Sequence, residues 1–299
     1  NATQGWVPTI DEAVADAPYT GNEEGIFGYG ESASGLISLS NLVSNVGVVG
    51  SDVTGVGTAR HRINACEYGG DKGIFGYGGA YVSMTNLVSN AGVVGTDVTG
   101  VGTARSMLAA CNYGGDRDKG IFGFGNTGSV TAVTNLVSNA GVVATDVTGV
   151  GTARRGLGAC EYGEDKGIFG FGYTGSKVSM TNLVSNAGVV ATDTTGVGTA
   201  RYLVAACGYG GDKGIFGFGD EGSPSNLVSN TGVVASDVAV VGTGRGGPGA
   251  TQYGGNKGIF GYGGAYLSMT NLVSNVGVVG ADVTGVGTAR EGPGACSFN

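Results

Sequence analysis

Short apolar runs rich in β-branched and aromatic residues, fenced by Gly, Asn, Ser and Asp, recur along the whole 299-residue chain. Runs of that length and composition predict strands joined by turns. They are also periodic. GIFGYG or GIFGFG begins at Gly25, Gly73, Gly120, Gly167, Gly214 and Gly258, at steps of 48, 47, 47, 47 and 44 residues, so six units fill the chain. Each unit reads, in order, a small-residue segment such as LAACNYGGD, then DKGIFGFG, a variable stretch, TNLVSN and GVVATDVTGVGTAR. Four strands per unit are expected: LAAC, as at Leu108 to Cys111, then GIFGYG, NLVS and GVVATD. The link between the third and fourth, Asn90-Ala91-Gly92 in one unit, suits a tight hairpin because Asn and Gly tolerate positive φ. A four-stranded antiparallel unit cannot bury both faces alone, and radial repetition buries each sheet against the next. The predicted fold is therefore all-β, a six-bladed β-propeller of four-stranded antiparallel blades over residues 25–299, preceded by an arm, residues 1–24.

The two ends of the chain differ in what they lack. Residues 290–298 repeat the Arg-to-Cys-to-aromatic first-strand segment, yet no second strand follows them. The first unit has its second strand from Gly25 to Gly30, but the stretch before it, Glu12 to Glu24, puts Asp16 and Pro18 inside the first-strand register. Proline there would delete a ladder donor, and a buried aspartate would be unpaired. The C-terminal copy fits better, so Ala295 and Cys296 are expected in the blade of Ile26 and Phe27, closing the ring with one strand from each end.

The run GTARxxLAACxYGxDKGIFGYG resembles the kelch repeat, in which an Arg precedes a small innermost strand and a hydrophobic second strand ends in glycines. The resemblance covers residues 25–298 and implies four-stranded propeller blades. It departs from that family in two ways. The double glycine becomes Gly-Tyr-Gly or Gly-Phe-Gly, and the fourth-strand Trp is absent, the sole Trp being Trp6. Near-identical tandem copies of this style are also similar to repeats of tail-fibre-like surface proteins of aquatic phages and microbes, which points to an extracellular or virion-surface setting.

Composition narrows the function classes. Sixty-four glycines rule out an ordinary helical protein, since each costs ~0.5–1 kcal/mol in a helix interior, while five prolines and no every-third-residue glycine exclude collagen. No window offers the ~18 apolar residues a membrane-spanning helix needs. A formal charge of −8 without a Lys/Arg cluster argues against nucleic acid or anionic lipid as a partner. The opening Asn1-Ala2-Thr3, without an initiator Met, fits a processed or fragmentary chain, and Asn1 matches the N-glycosylation acceptor pattern.

Candidate catalytic groups repeat with the units, which makes them scaffolding first. Cys66, Cys111, Cys160, Cys207 and Cys296 share one position, where the sixth unit has Thr251; free buried thiols are expected, the alternative being a thiolate ring around a metal with no second shell. One histidine, His61, between Arg60 and Arg62, excludes a His-rich metal site. Arg60, Arg105, Arg154, Arg201, Arg245 and Arg290 follow Asp52, Asp97, Asp146, Asp193, Asp237 and Asp282 at eight residues in every unit, predicting repeated structural pairs or capped loop amides. The Lys72, Lys119, Lys166, Lys213 and Lys257 series reads as a solvated turn. No enzymatic activity and no cofactor are expected.

Differences among units fall on one side of the meander. The turns xYGGDKG and VSNxG barely change, whereas the links between strands two and three, and the residues just after each Arg, vary. Loops on a rigid scaffold carry specificity, so this face, with Tyr81, Tyr173, Tyr202 and Tyr266, is the candidate ligand surface; neutral drift is the alternative. The arm's Trp6, Val7 and Ile10 either lie along their own ring or dock on a neighbour to build a filament. The expected function is a structural and adhesive element, a fibre or filament subunit, with a glycan-binding propeller and a kelch-type interaction scaffold as alternatives.

Overall fold

The structure is a computed structural model that describes residues 23–220, 222, 224–239 and 242–298. The protein is all-β, made of six small antiparallel sheets. Sheet 1 combines β1 (Glu24–Ser32) and β2 (Gly35–Val43) with the last strand of the chain. Sheet 2 holds β3 (Asn64–Tyr68), β4 (Lys72–Gly76) and β5 (Thr85–Val88), and sheet 3 holds β6 (Ala109–Tyr113), β7 (Lys119–Asn126) and β8 (Val130–Val137). Sheet 4 is β9 (Gly158–Tyr162), β10 (Lys166–Tyr173) and β11 (Lys177–Val184). Sheet 5 is β12 (Ala205–Tyr209), β13 (Lys213–Gly217), β14 (Pro224–Val228) and the two-residue β15 (Val238–Ala239). Sheet 6 is β16 (Gly249–Tyr253), β17 (Lys257–Gly263) and β18 (Leu267–Val273), after which β19 (Gly294–Phe298) pairs with β1. In that pairing Ile26 faces Cys296 and Phe27 faces Ala295. The first strands touch in the cyclic order β3, β6, β9, β12, β16, β19 and back to β3.

The expectation of four full strands per unit is corrected: five sheets have three strands and one has four. In the five three-stranded sheets the fourth segment meets the third strand at isolated bridges, such as Val137 with Val143 and Thr134 with Val147. The Asn of TNLVS ties that segment to the third strand through its side chain. Asn135 Nδ2 donates to Ala144 O at 3.0 Å and to Asp146 Oδ1 at 2.9 Å, so a side chain supplies part of what a ladder would. Asn41, Asn86, Asn182, Asn226 and Asn271 do the same in the other units.

There is no single core. Each of six apolar clusters joins two consecutive sheets, as where Cys66, Tyr68, Ile74 and Tyr77 of sheet 2 meet Leu108, Ala110, Phe122 and Val137 of sheet 3. The aromatic of each Gly-aromatic-Gly motif has positive φ, 64° at Tyr29 and 62° at Phe124, and in sheets 1, 3, 4 and 6 it forms a bulge that shifts the strand register by one. Left-handed backbone costs an L-residue ~1–2 kcal/mol. The bulge recovers it: Tyr29 meets Phe75 of sheet 2 edge-on at 5.3 Å, and the Arg60 guanidinium sits 4.4 Å over its ring. Such contacts are worth ~0.5–1.5 and up to ~2 kcal/mol respectively. The same pair of contacts recurs from Arg154 and Phe169 on Phe124 to Arg290 and Phe27 on Tyr262.

The repeated Cys explains the repeated Gly. The thiol points sideways at the first Gly of GIFG in the following sheet, so a Cβ on Gly73 would lie 2.5 Å from Cys296 Sγ. Glycine there lets adjoining sheets approach. Gly73→Ala is expected to destabilise the protein by ~1–3 kcal/mol through overpacking. Cys296→Ala in the same chain should recover most of that loss, a positive coupling readable by denaturant titration of the double-mutant cycle.

Candidate functional site: the axial cluster and the variable face

Each Arg and Asp of the repeat is fixed at the seam between two sheets, and the partners come from different units. Arg60 donates from Nε to Tyr77 O at 2.9 Å and from Nη2 to Asn86 Oδ1 at 2.6 Å, and its nearest carboxylate is Asp97 of the next unit, at 3.9 Å, not Asp52. Asp97 accepts the Thr58 N–H at 3.0 Å and the Thr58 hydroxyl at 2.6 Å. The cycle ends with Thr288 donating to Asp52. Burial would raise these carboxyls, but the Thr and Asn bonds, with the Arg charge, hold Asp52, Asp97, Asp146, Asp193, Asp237 and Asp282 below the ordinary carboxylate range. Burial lowers Arg154, Arg201 and Arg245 to about 10, so they stay charged at neutral pH. These groups are engaged in structure and not poised for chemistry.

The thiols are equally inert. All five cysteines are free and buried, and burial pushes their pKa values up, Cys207 to about 12. A catalytic thiol needs the opposite shift. Among the described residues no group of His, Cys, Asp and Glu could hold a metal ion. His61 sits 3.7 Å from Glu31, and burial together with Arg62 lowers its pKa.

Sequence reasoning missed the chemistry at the centre. The first strands enclose a cavity of about 50 Å³, floored by Ala65, Ala110, Ala159, Ala206, Ala250 and Ala295. That is room for a few water molecules. Into it reach the residues that follow the repeated Cys or Thr: Glu67, Asn112, Glu161, Gln252 and Ser297, with Gly208 completing the set. Asn112 Nδ2 bridges Glu67 at 3.0 Å and Glu161 at 3.2 Å, and Gln252 also donates to Glu161. Arg117, buried, pairs with Glu161 at 2.5 Å and reaches Gly211 O at 3.4 Å. It comes from a lengthened turn, Gly115–Arg117, where Asp116 and Arg117 are both left-handed. The signal was available: this position takes Glu, Asn, Glu, Gly, Gln and Ser between a Cys or Thr and an aromatic, and the DRDKG turn alone is longer than DKG.

Burial pushes the Glu67 carboxyl up to about 8, with Glu161 adding to the rise and Arg117 opposing it. A folded-state pKa above the ordinary 4.5 means that the folded protein binds the proton more tightly. This contribution to stability is complete below about pH 4.5 and is lost as pH rises to about 8. Glu67→Gln should flatten the fall in thermal midpoint across that range, measured by calorimetry at a series of pH values. An unchanged pH profile would refute the assignment.

At the other end of the first strands six backbone bonds form a closed cycle. The N–H of Arg62 donates to Gly292 O, Met107 to Arg62, Gly156 to Met107, Leu203 to Gly156, Gly247 to Leu203 and Gly292 to Gly247, at 2.7–3.2 Å. All six residues have φ between 52° and 62°. Around this annulus the two variable segments of a unit meet, as in the bridges Arg155 with Tyr173 and Ser106 with Asn126. Of the candidate ligand residues, Tyr173 and Tyr202 come together with ring centroids 5.5 Å apart, and Arg155 lies 5.4 Å over Tyr173. Tyr81 stands apart, its hydroxyl accepting from Asn126, and Tyr266 is exposed on the β17–β18 turn. Asn1, Trp6, Val7 and Ile10 lie outside the described residues.

No protein-family model matches the chain, and no curated protein matches it. No helix of the described residues is long and apolar enough to cross a membrane.

Proposed function

We propose that this chain is a six-bladed, kelch-like β-propeller serving as a non-enzymatic structural and adhesive element outside the cell or on a virion surface. It associates with copies of itself and turns its variable face toward a cell-surface or glycan ligand. The carrying observation is the disposition of its reactive groups. Six arginines and six aspartates are committed to the seams between sheets, and the thiols are held protonated. Chemistry that differs from unit to unit is left to the axis and to one face.

The propeller reading rests on the cyclic order of touching first strands and on β19 pairing with β1. A circular permutant that joins Phe298 to Glu24 through a short Gly/Ser linker, with new ends at Gly69 and Gly70, is expected to keep the parent circular dichroism and melt at least as high. An unfolded or aggregated permutant would count against closure.

A glycan-binding role has one specific observation in its favour, the Tyr173–Tyr202 platform beside Arg155. Aromatic faces suit the C–H face of a pyranose, and a guanidinium donates to its hydroxyls. Tyr202→Ala should then weaken any glycan-array signal several-fold without altering the melt, and binding that is indifferent to this change would remove the platform from the reading.

A further inference from the structure

We propose that the seam between sheets 6 and 1 is an exchange interface for a second copy of this chain, in which β19 leaves its own β1 and completes sheet 1 of another copy. The inference rests on the self-assembly reading above and deepens it by naming the surface and the segment exchanged.

This seam is the least satisfied of the six. At the other five, the Arg Nε donates to the carbonyl of the left-handed aromatic of the next sheet: Arg60 to Tyr77, Arg105 to Phe124, Arg154 to Phe171, Arg201 to Phe218 and Arg245 to Tyr262, at 2.6–2.9 Å. At four of them Nη2 also donates to the Asn of that sheet at 2.6–2.8 Å. Arg290 is fully buried, yet its Nε and Nη2 find no acceptor, and Asn41 Oδ1 finds no donor. Asn135 also lacks its donor, but there Arg105 places both nitrogens on carbonyls of Phe124 and Phe122. Buried polar groups left without partners weaken the folded arrangement that strands them.

A second observation falls on the same seam. The bridge between the segment leading to β19 and the end of β1 sets Glu31 opposite Glu291, where the equivalent bridges carry Ser106 with Asn126 and Arg155 with Tyr173. Like charges directly opposed across an antiparallel pair are destabilising. What holds this seam is the apolar cluster of Phe27, Val43 and Ala295 with Tyr253, Ile259 and Tyr262, the Arg290 guanidinium 3.9 Å over the Tyr262 ring, the β1–β19 ladder, the Thr288–Asp52 bonds and the backbone bonds of Gly292 and Glu291. None is covalent, and those made by the segment from Thr288 through β19 can be made by the same segment of a different copy. Exchange thus preserves the native contacts and changes only the connectivity, which is the condition for strand swapping.

The test uses two full-length chains. One carries Ile26→Cys and Cys296→Ser; the other is wild type, with Cys296 in place and Ile26 unchanged. Mixed and gently oxidised, they should give an interchain disulfide between the thiol introduced by Ile26→Cys in one copy and Cys296 of the other, with a yield that rises with protein concentration. A chain with Ile26→Cys alone reports whether the register permits the bond within one copy. If that control closes while the mixture never cross-links, the exchange is refuted. Glu291→Gln, which removes the opposed charges outside β19, supplies a readout that needs no cysteine. Mixed-isotope oligomers in native mass spectrometry should form several-fold more slowly with it than with wild type, and an unchanged rate refutes the proposal. Oligomers that persist without cross-linking would sink the exchange and leave self-assembly standing; monomers at every concentration would sink both.

Discussion

One contact set governs this structure: an arginine laid on the left-handed aromatic of one sheet while its N–H groups hold the next. The aromatic accepts a backbone conformation it would not choose alone, because its ring is covered on one side by the neighbouring Phe and on the other by the guanidinium. The seam is thereby polar in its bonds and apolar in its surfaces. Removing the Arg would strip a cation–π contact and leave carbonyls such as Tyr77 O buried without that donor. Since each apolar cluster belongs to two sheets, stability is distributed as a sum of seams, in the manner of repeat proteins. A weak seam is a local property in such a molecule, which is why the unsatisfied Arg290 marks one place without compromising the other five.

Much of this was legible because repetition converts a single-sequence reading into six independent readings. The period located the strand borders, and the unmatched segment at residues 290–298 pointed to β1 as its partner. What escaped were effects of side chains on neighbours far along the chain. The Asn of TNLVS reads as the start of the third strand, but folded it spends its amide on the fourth segment, which meets that strand at isolated bridges in five of the six sheets. The Asp and Arg of one unit suggest a pair by proximity, yet their partners lie in the adjoining unit because the seam runs between them. The polar cluster among the first strands was hidden for another reason. Glu67, Asn112, Glu161 and Gln252 look unrelated until the first strands are brought side by side, when a position that carries polar side chains in most units becomes a contiguous hydrogen-bonded group.

The division of the surface into a constant and a variable side has a physical origin in the same bonds. On the constant side, turns are held through side chains and close approach: the Tyr68 ring packs where a Cβ on Gly141 would stand 2.9 Å away, and Gly69 N–H donates to Asp118 O of the next unit. A change there is felt in two sheets at once. On the variable side the annulus is made by backbone alone. It demands positive φ from Arg62, Met107, Gly156, Leu203, Gly247 and Gly292, but places no requirement on what, if anything, hangs from each Cα. Three are glycine, for which that conformation is free, and three bear side chains at a cost of ~1–2 kcal/mol each. That cost is small against six apolar clusters, so side chains at the annulus, and the loops bridged beside it, can differ from unit to unit while the seams stay the same. Chemical variety therefore collects where hydrogen bonding is indifferent to the side chain, and a face with that freedom is the one able to acquire a ligand without endangering the scaffold.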